Sequence, residues 1–241
     1  MGFTLRSAAR SHRGLIRGNN EDSMFAGARL LALADGMGGH TGGEVASAMM
    51  IAALAPLDDA PIADPRTALA AALAAGNAAI AEKVSTAPDL AGMGTTLTAL
   101  LFSGNRFGLA HVGDSRAYLL RDGTLSRLTR DDTFVQSLVD AGYITAERAT
   151  THPRRSLIMQ ALTGAEVAPT LTVRDTSFGD RYLLCSDGLS DVVDDDTLAA
   201  TLSEHGIDAC ADRLIELALA AGGPDNITVV VAELIAATPP Q

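Results

Sequence analysis

The chain has 241 residues, enough for one large domain or two small ones, and 47% of them are hydrophobic, ample for a sizeable core. A formal net charge of −11 argues against nucleic acid or an anionic membrane as the main partner, because both call for a basic face. Cys185 and Cys210 form no CxxC pair and no disulfide framework, no signal peptide precedes the first strand, and no apolar run approaches the roughly 18 residues of a membrane span, so a cytoplasmic protein is expected.

Residues 4–9 alternate weakly and predict a first strand. Residues 11–20 read as a basic loop, with Arg13 and Arg17 ahead of Asn19-Asn20-Glu21-Asp22. Residues 23–26 and 28–34 form a hairpin around Gly27, and 44–54 is a helix by composition. A proline-marked connector over 56–65 leads to a long Ala-rich helix at 66–85, with Leu69, Leu73, Gly76 and Ile80 on one face. Strands follow at 97–102, 106–112, 117–121 and 125–128, with turns at Ser103-Gly104-Asn105 and Asp122-Gly123. Helices are predicted at 133–141 and 145–151, a short apolar stretch at 156–162, and strands at 171–174 and 181–185. Helices at 194–203 and 208–221 and a strand at 227–234 close the chain, and Asp194-Asp195-Asp196 reads as a helix N-terminus. Hairpins predominate, so the sheets should be mostly antiparallel. The economical packing is α+β, two sheets face to face with helices outside.

Four aspartates stand at the ends of apolar runs and close to glycine. Asp35 ends Leu30-Leu31-Ala32-Leu33-Ala34 and opens Gly36-Met37-Gly38-Gly39-His40. Asp187 follows Tyr182-Leu183-Leu184-Cys185-Ser186, Asp114 follows His111-Val112-Gly113, and Asp225 lies between Gly222-Gly223-Pro224 and the strand from Ile227. One such residue is an ordinary turn cap. Four of them point to strand ends converging on one acidic site. Carboxylates are hard ligands that favour Mg²⁺, Mn²⁺ or Ca²⁺ over zinc. Uncompensated, one like-charge pair at ~4 Å and an effective dielectric of about 20 costs on the order of 4 kcal/mol. Such a site can hold two ions roughly 3.5–4 Å apart, which activate water, bind phosphate oxygens and offset charge during an in-line displacement. Arg17 is a candidate phosphate fork or a solvated loop arginine. His40 is a candidate proton donor or an idle turn histidine, and Glu21 and Asp22 are candidate holders of metal-bound water or a surface pair. His111, inside an apolar strand, reads as a satisfied core histidine.

Arg17-(x3)-Glu21-Asp22, Ala34-Asp35-Gly36-Met37-Gly38-Gly39-His40, Gly92-Met93-Gly94-Thr95-Thr96, His111-Val112-Gly113-Asp114-Ser115-Arg116, Ser186-Asp187-Gly188-Leu189 and Gly222-Gly223-Pro224-Asp225-Asn226 occur in the order known from one family. The chain resembles the PP2C, or PPM, metal-dependent protein phosphatases from about Leu5 to Leu234. The resemblance implies an αββα sandwich, with residues 1–236 as the catalytic domain and 237–241 as the start of a linker. It implies two Mn²⁺ or Mg²⁺ ions, with Asp35 bridging them, the Gly36 carbonyl on one, and Asp187 and Asp225 completing the pair. A third ion would take Asp114, and more weakly Ser156. Arg17 matches the family's phosphate-binding arginine, and 134–152 its mobile flap. Two positions depart from the pattern: Met37 and Asp132 stand where human-type and many bacterial members, respectively, have histidine. The implied activity is hydrolysis of phosphoserine and phosphothreonine. Implied partners are phosphoproteins, Ser/Thr kinases of the PknA/PknB kind among them, and the full-length protein would be anchored to the membrane through a C-terminal segment. A phosphoesterase acting on small metabolites and a non-catalytic binding module are the alternatives.

Overall fold

The computed structural model describes residues 3–38 and 41–236. In chain order the strands are β1 (Phe3–His12), β2 (Asp22–Ala26), β3 (Leu30–Met37), β4 (Gly94–Thr95), β5 (Leu97–Ser103), β6 (Arg106–Val112), β7 (Arg116–Arg121), β8 (Thr124–Arg127), β9 (Thr170–Asp175), β10 (Arg181–Cys185) and β11 (Ile227–Ala236). The helices are α1 (Gly42–Leu54), α2 (Pro65–Thr86), α3 (Phe134–Asp140), α4 (Ala146–Thr150), α5 (Asp187–Ser190), α6 (Asp195–Glu204) and α7 (Ile207–Ala220). One sheet runs β1-β11-β10-β7-β8. The other runs β2-β3-β5-β6-β9, with β4 paired to β3, and every pairing is antiparallel.

The core is three-tiered, and strand alternation builds it. Along β3, Leu30, Ala32 and Ala34 face α1 and α2, while Leu31 and Leu33 face the other sheet. Along β11, Ile227, Val229 and Val231 pack with α5–α7, while Val230, Ala232 and Leu234 join Leu31 and Leu33 between the sheets. Helices cover both outer faces, so both strands are buried on each side. This is why they read as continuous apolar runs rather than alternating ones. The expected αββα sandwich is the observed architecture.

Local chemistry sets the boundaries. Asp64, Thr133, Thr145 and Asp194 each accept a backbone N–H three residues on and start α2, α3, α4 and α6. Leu69, Leu73, Gly76 and Ile80 are the buried face of α2, as their spacing predicts. The structure corrects or completes the expected elements at three places. β1 continues to His12, because its register with β11 holds as far as His12↔Ile227, so the predicted loop over 11–20 begins later. The short apolar stretch 156–162 is irregular, held by the single bridges Thr133↔Ile158 and Thr95↔Leu162 and by backbone bonds to Asp132 and Phe134. Asp187 opens a short helix, α5, that its Gly-containing sequence concealed.

Asp58 shows how a connector fixes a hairpin. Its carboxylate accepts the backbone N–H groups of Ala28, Arg29 and Leu30 at 3.0, 2.7 and 2.8 Å. Desolvation pushes its pKa up, and these three bonds outweigh that and hold it below 3.8. Asp58→Ala should therefore cost about 1–3 kcal/mol. A carboxylate with a depressed folded pKa contributes stability above its unfolded pKa and loses it as pH falls through the folded value. Urea melts at pH 7 and pH 2.5 should thus show a gap between native and variant that closes in acid.

Candidate metal and phosphate site

The strand parity that fills the middle tier also aims the acidic residues. Asp35 follows Leu31 and Leu33 on the face between the sheets, and Asp22 lies directly opposite it in the β2–β3 register. Ser186 follows β10 on the same edge, and its hydroxyl donates to Asp22 Oδ2 at 3.0 Å and accepts Thr228 N–H at 3.0 Å. The apolar layer therefore gives way to carboxylates and hydroxyls at one edge of the sandwich.

Backbone bonds hold the Asp35 strand end. Its N–H donates to Thr96 Oγ1 at 3.0 Å, and its carbonyl accepts Thr96 N–H at 2.8 Å and Thr95 Oγ1 at 2.9 Å. Gly36 follows because no side chain fits there: a Cβ would lie 2.2 Å from the Gly43 carbonyl oxygen. Asp187 starts α5, and Asp225 precedes β11. The loop carrying Arg17 is tied to that same end, with Leu15 N–H on the Gly223 carbonyl at 2.8 Å and Arg17 Nη2 on Asp225 Oδ2 at 2.6 Å.

These residues line one cleft of about 620 Å³, with Arg17, Glu21, Asp35, Gly36, Asp114, Ser156, Asp187 and Asp225 in its walls. Arg155, Asp191 and Asn226 line it too. The reading of the sequence passed over these three. Asp191 had a usable signal, lying one helical turn after Asp187, whereas Arg155 had none. A second cavity of about 380 Å³ lies under α3 and α4 and shares Asp114, Arg155, Ser156, Asp187 and Asp191 with the first. His40 lies outside the described residues. His111 is fully buried between Thr98 Oγ1 and the Arg130 carbonyl, as a core histidine should be.

Asn226 joins the two sides of the Arg17 loop. Its Oδ1 accepts Glu21 N–H at 2.8 Å, and its Nδ2 donates to the carbonyls of Arg13 and Asn19 at 3.0 and 2.8 Å. Asn226→Ala should free that loop and lower kcat/KM about 100-fold, the scale of a 1 Å misplacement. Asn226→Asp, which cannot donate, should recover little of it. Steady-state kinetics on the two variants checks this.

The electrostatics favour bound cations. Burial first, and then repulsion from Asp22, Asp187, Asp114 and Asp225, holds the Asp35 pKa well above the usual carboxylate range. Asp187 is raised in the same way, by burial and then by Asp114 and Asp225. Burial lifts Asp22 to about 6 and Asp114 to about 7. Asp22 Oδ1 and Asp114 Oδ1 are buried without a hydrogen-bond partner. Among the described residues no three His, Cys, Asp or Glu side chains are gathered tightly enough to cage an ion as they stand. The donors nonetheless fit hard divalent cations: all are oxygens, Asp35, Asp114, Asp187 and Asp225 share one cleft, and Asp114 Oδ1 there is orphaned.

A match to protein phosphatase 2C spans residues 9–213. The chain belongs to the protein phosphatase 2C family. It is 66% identical over 234 residues to the serine/threonine protein phosphatase PstP of Mycobacterium tuberculosis, covering 97% of this chain and 46% of that protein, so it spans about half of that relative's length. The crystal structure of the M. tuberculosis phosphatase PstP/Ppp superposes with a TM-score of 0.95 at 66% identity, covering 97% of this chain and all of that one. A crystal structure of the PstP catalytic domain in complex with two manganese ions superposes at 0.93 with 63% identity, over 97% and 100% of the two chains. Within the phosphatase 2C fold described here, the acidic edge of the sandwich is where the family motifs of this chain meet.

Proposed function

We propose that this domain, taken as residues 1–236, is a metal-dependent protein serine/threonine phosphatase that hydrolyses phosphoserine and phosphothreonine. The observation that carries the reading is the meeting of Asp35, Asp114, Asp187, Asp225 and Arg17 in one cleft of a phosphatase 2C fold, with Asp22 opposite Asp35 in the β2–β3 pair. Similarity to PstP, including the form with two manganese ions, supports it.

In this reading Asp35, the Gly36 carbonyl, Asp187 and Asp225 hold two Mn²⁺ or Mg²⁺ ions, and Asp114 with Ser156 hold a third. When bound, the ions supply a water of lowered pKa and positive charge at the phosphoryl group. Arg17 offers two N–H groups to the phosphate oxygens. Burial works against its charge, and Asp225, Asp187 and Asp35 outweigh that and keep it protonated. Asn226 sets the loop from which it reaches. Glu21, and Asp22, which Ser186 fixes, would hold water that the ions bind. His40 is the proposed donor to the leaving oxygen, because Met37 carries no proton to give.

Phosphate release from a phosphothreonine peptide should require Mn²⁺ and should exceed that from phosphorylated metabolites by at least about 100-fold in kcat/KM, a difference of ~2.8 kcal/mol in transition-state binding. Metal-dependent release confined to metabolites would replace the protein substrate. No release with either metal would reject the enzyme. We further propose phosphorylated Ser/Thr kinases of the PknA/PknB kind and their targets as substrates, met at the cytoplasmic face by a protein anchored through a C-terminal segment. Among the described residues no helix is long and apolar enough to cross a membrane.

A further inference from the structure

Asp114 is held in an unusual way. It is 7% exposed, and its Oδ1 has no hydrogen-bond partner. With that oxygen unpartnered, the placement of the carboxylate leans on the backbone that carries it. The residue before it is Gly113, with a φ of +107°, and a Cβ there would lie 2.5 Å from Thr96 Cγ2. Such a backbone is permissive and needs fixing from outside. Asp132 fixes it twice: its Oδ2 accepts Gly113 N–H at 3.0 Å, and its own N–H donates to the Gly113 carbonyl at 2.7 Å.

Asp132 also lies at the stem of the lobe that carries α3 and α4. Its carbonyl accepts Met159 N–H at 2.7 Å, and next to it Phe134 N–H donates to the Leu157 carbonyl at 2.8 Å. The lobe therefore leaves and rejoins the body at one place, and Asp132 fastens that place to Gly113. Ser156 lies just inside the returning arm of the stem. The neighbouring contacts hold other points: Asp131 takes Arg116 and Arg127, and the Arg130 carbonyl meets His111.

We infer that Asp132 is a positioning residue that couples the α3–α4 lobe to the Asp114 carboxylate, and through it to the ion that Asp114 and Ser156 would hold. The inference rests on the proposed metal-dependent function only for that last link.

The test compares native protein with Asp132→Ala and Asp132→Asn, using amide hydrogen exchange and Mn²⁺ titration calorimetry beside phosphate release. In Asp132→Ala the Gly113 and Asp114 amides should exchange faster while those of β5 stay protected. The weakest class of Mn²⁺ sites should lose roughly 10–100-fold in affinity, the usual cost of removing a group that orients a ligand. The tighter sites should be unchanged. Asp132→Asn, whose amide oxygen still accepts the Gly113 N–H, should restore both readouts. In a double-mutant cycle with Asp114→Asn, the alanine variant should add no further loss of Mn²⁺. If Asp132→Ala does not fold, Asp132→Ser, polar but too short to reach Gly113, takes its place. Unchanged exchange at Gly113, an asparagine variant that behaves as alanine does, or additive losses in the cycle would each overturn the inference. Native protein that binds Mn²⁺ without releasing phosphate would reject the proposed activity and leave the exchange and titration results to judge Asp132.

Discussion

Asp35→Asn is expected to cut metal-dependent phosphate release at least about 1,000-fold, roughly 4 kcal/mol of barrier, while raising the melting temperature of the metal-free protein at pH 8. The two effects share one origin. Asp35 sits at a strand end fixed by Thr95 and Thr96 through its backbone alone, so the amide should occupy the same place. It faces Asp22 across the β2–β3 pair, and like charges directly opposite each other destabilise a sheet. Burial and the neighbouring carboxylates hold its pKa well above the ordinary value. A carboxylate raised in the folded state contributes full stability below its unfolded pKa and loses it as pH rises through the folded one. Removing the charge should therefore stabilise the protein at pH 8 and do little at pH 3.5. Melting curves in EDTA at both values, run beside phosphate release, check the pair of outcomes. An active variant would remove Asp35 from the metal site. An inactive variant that melts lower at pH 8 would mean that the side chain supports the fold rather than straining it.

Mn²⁺ should raise the melting temperature at pH 8 by ~5–10 °C. Ligand at 100 times its dissociation constant stabilises by about 2.7 kcal/mol, and each kcal/mol moves a domain of this size by about 2–4 °C. The increment should shrink as pH falls through 7 to 5. Asp114, lifted by burial to about 7, and Asp22, lifted by burial to about 6, take up protons across that window, and metal ligands must be deprotonated. Metal-free protein should behave in the opposite sense, gaining stability as pH drops through the same range, because its repelling carboxylates become neutral. A grid of melting temperatures against pH and Mn²⁺ tests both halves. An increment constant from pH 5 to 8 would show that Asp114 does not bind the ion and that Asp22 does not hold its water.

Much of this was legible because short-range rules dominate where they apply. The buried face of α2 followed from its spacing, and the helix N-terminus at Asp194 from its run of carboxylates. The runs ending at Asp35 and Asp187 announced strands buried on both sides. The acidic character of the site was visible too, since four Asp-Gly neighbourhoods on apolar strands have few uses other than binding a cation. The reading of 11–20 as all loop failed at its start, because the register with β11 extends β1 beyond its own pattern. The short helix α5 was hidden because four residues are too few for any periodicity.

By itself the sequence determined the class of fold, the alternation of elements and the identity of the carboxylates, all of which depend on the residue types and their spacing along the chain. Only the tertiary structure decided which groups hold those carboxylates. Asn226 reaches Arg13, Asn19 and Glu21, more than 200 residues away. Asp132 clamps Gly113 from the stem of a separate lobe, and Ser186 reaches Asp22 across the gap between sheets. Asn, Asp and Ser are ordinary residues in ordinary loops until folding removes their water and leaves only partners from distant segments within about 3 Å. Their role is a matter of position, and position between distant segments is set by how the two sheets pack.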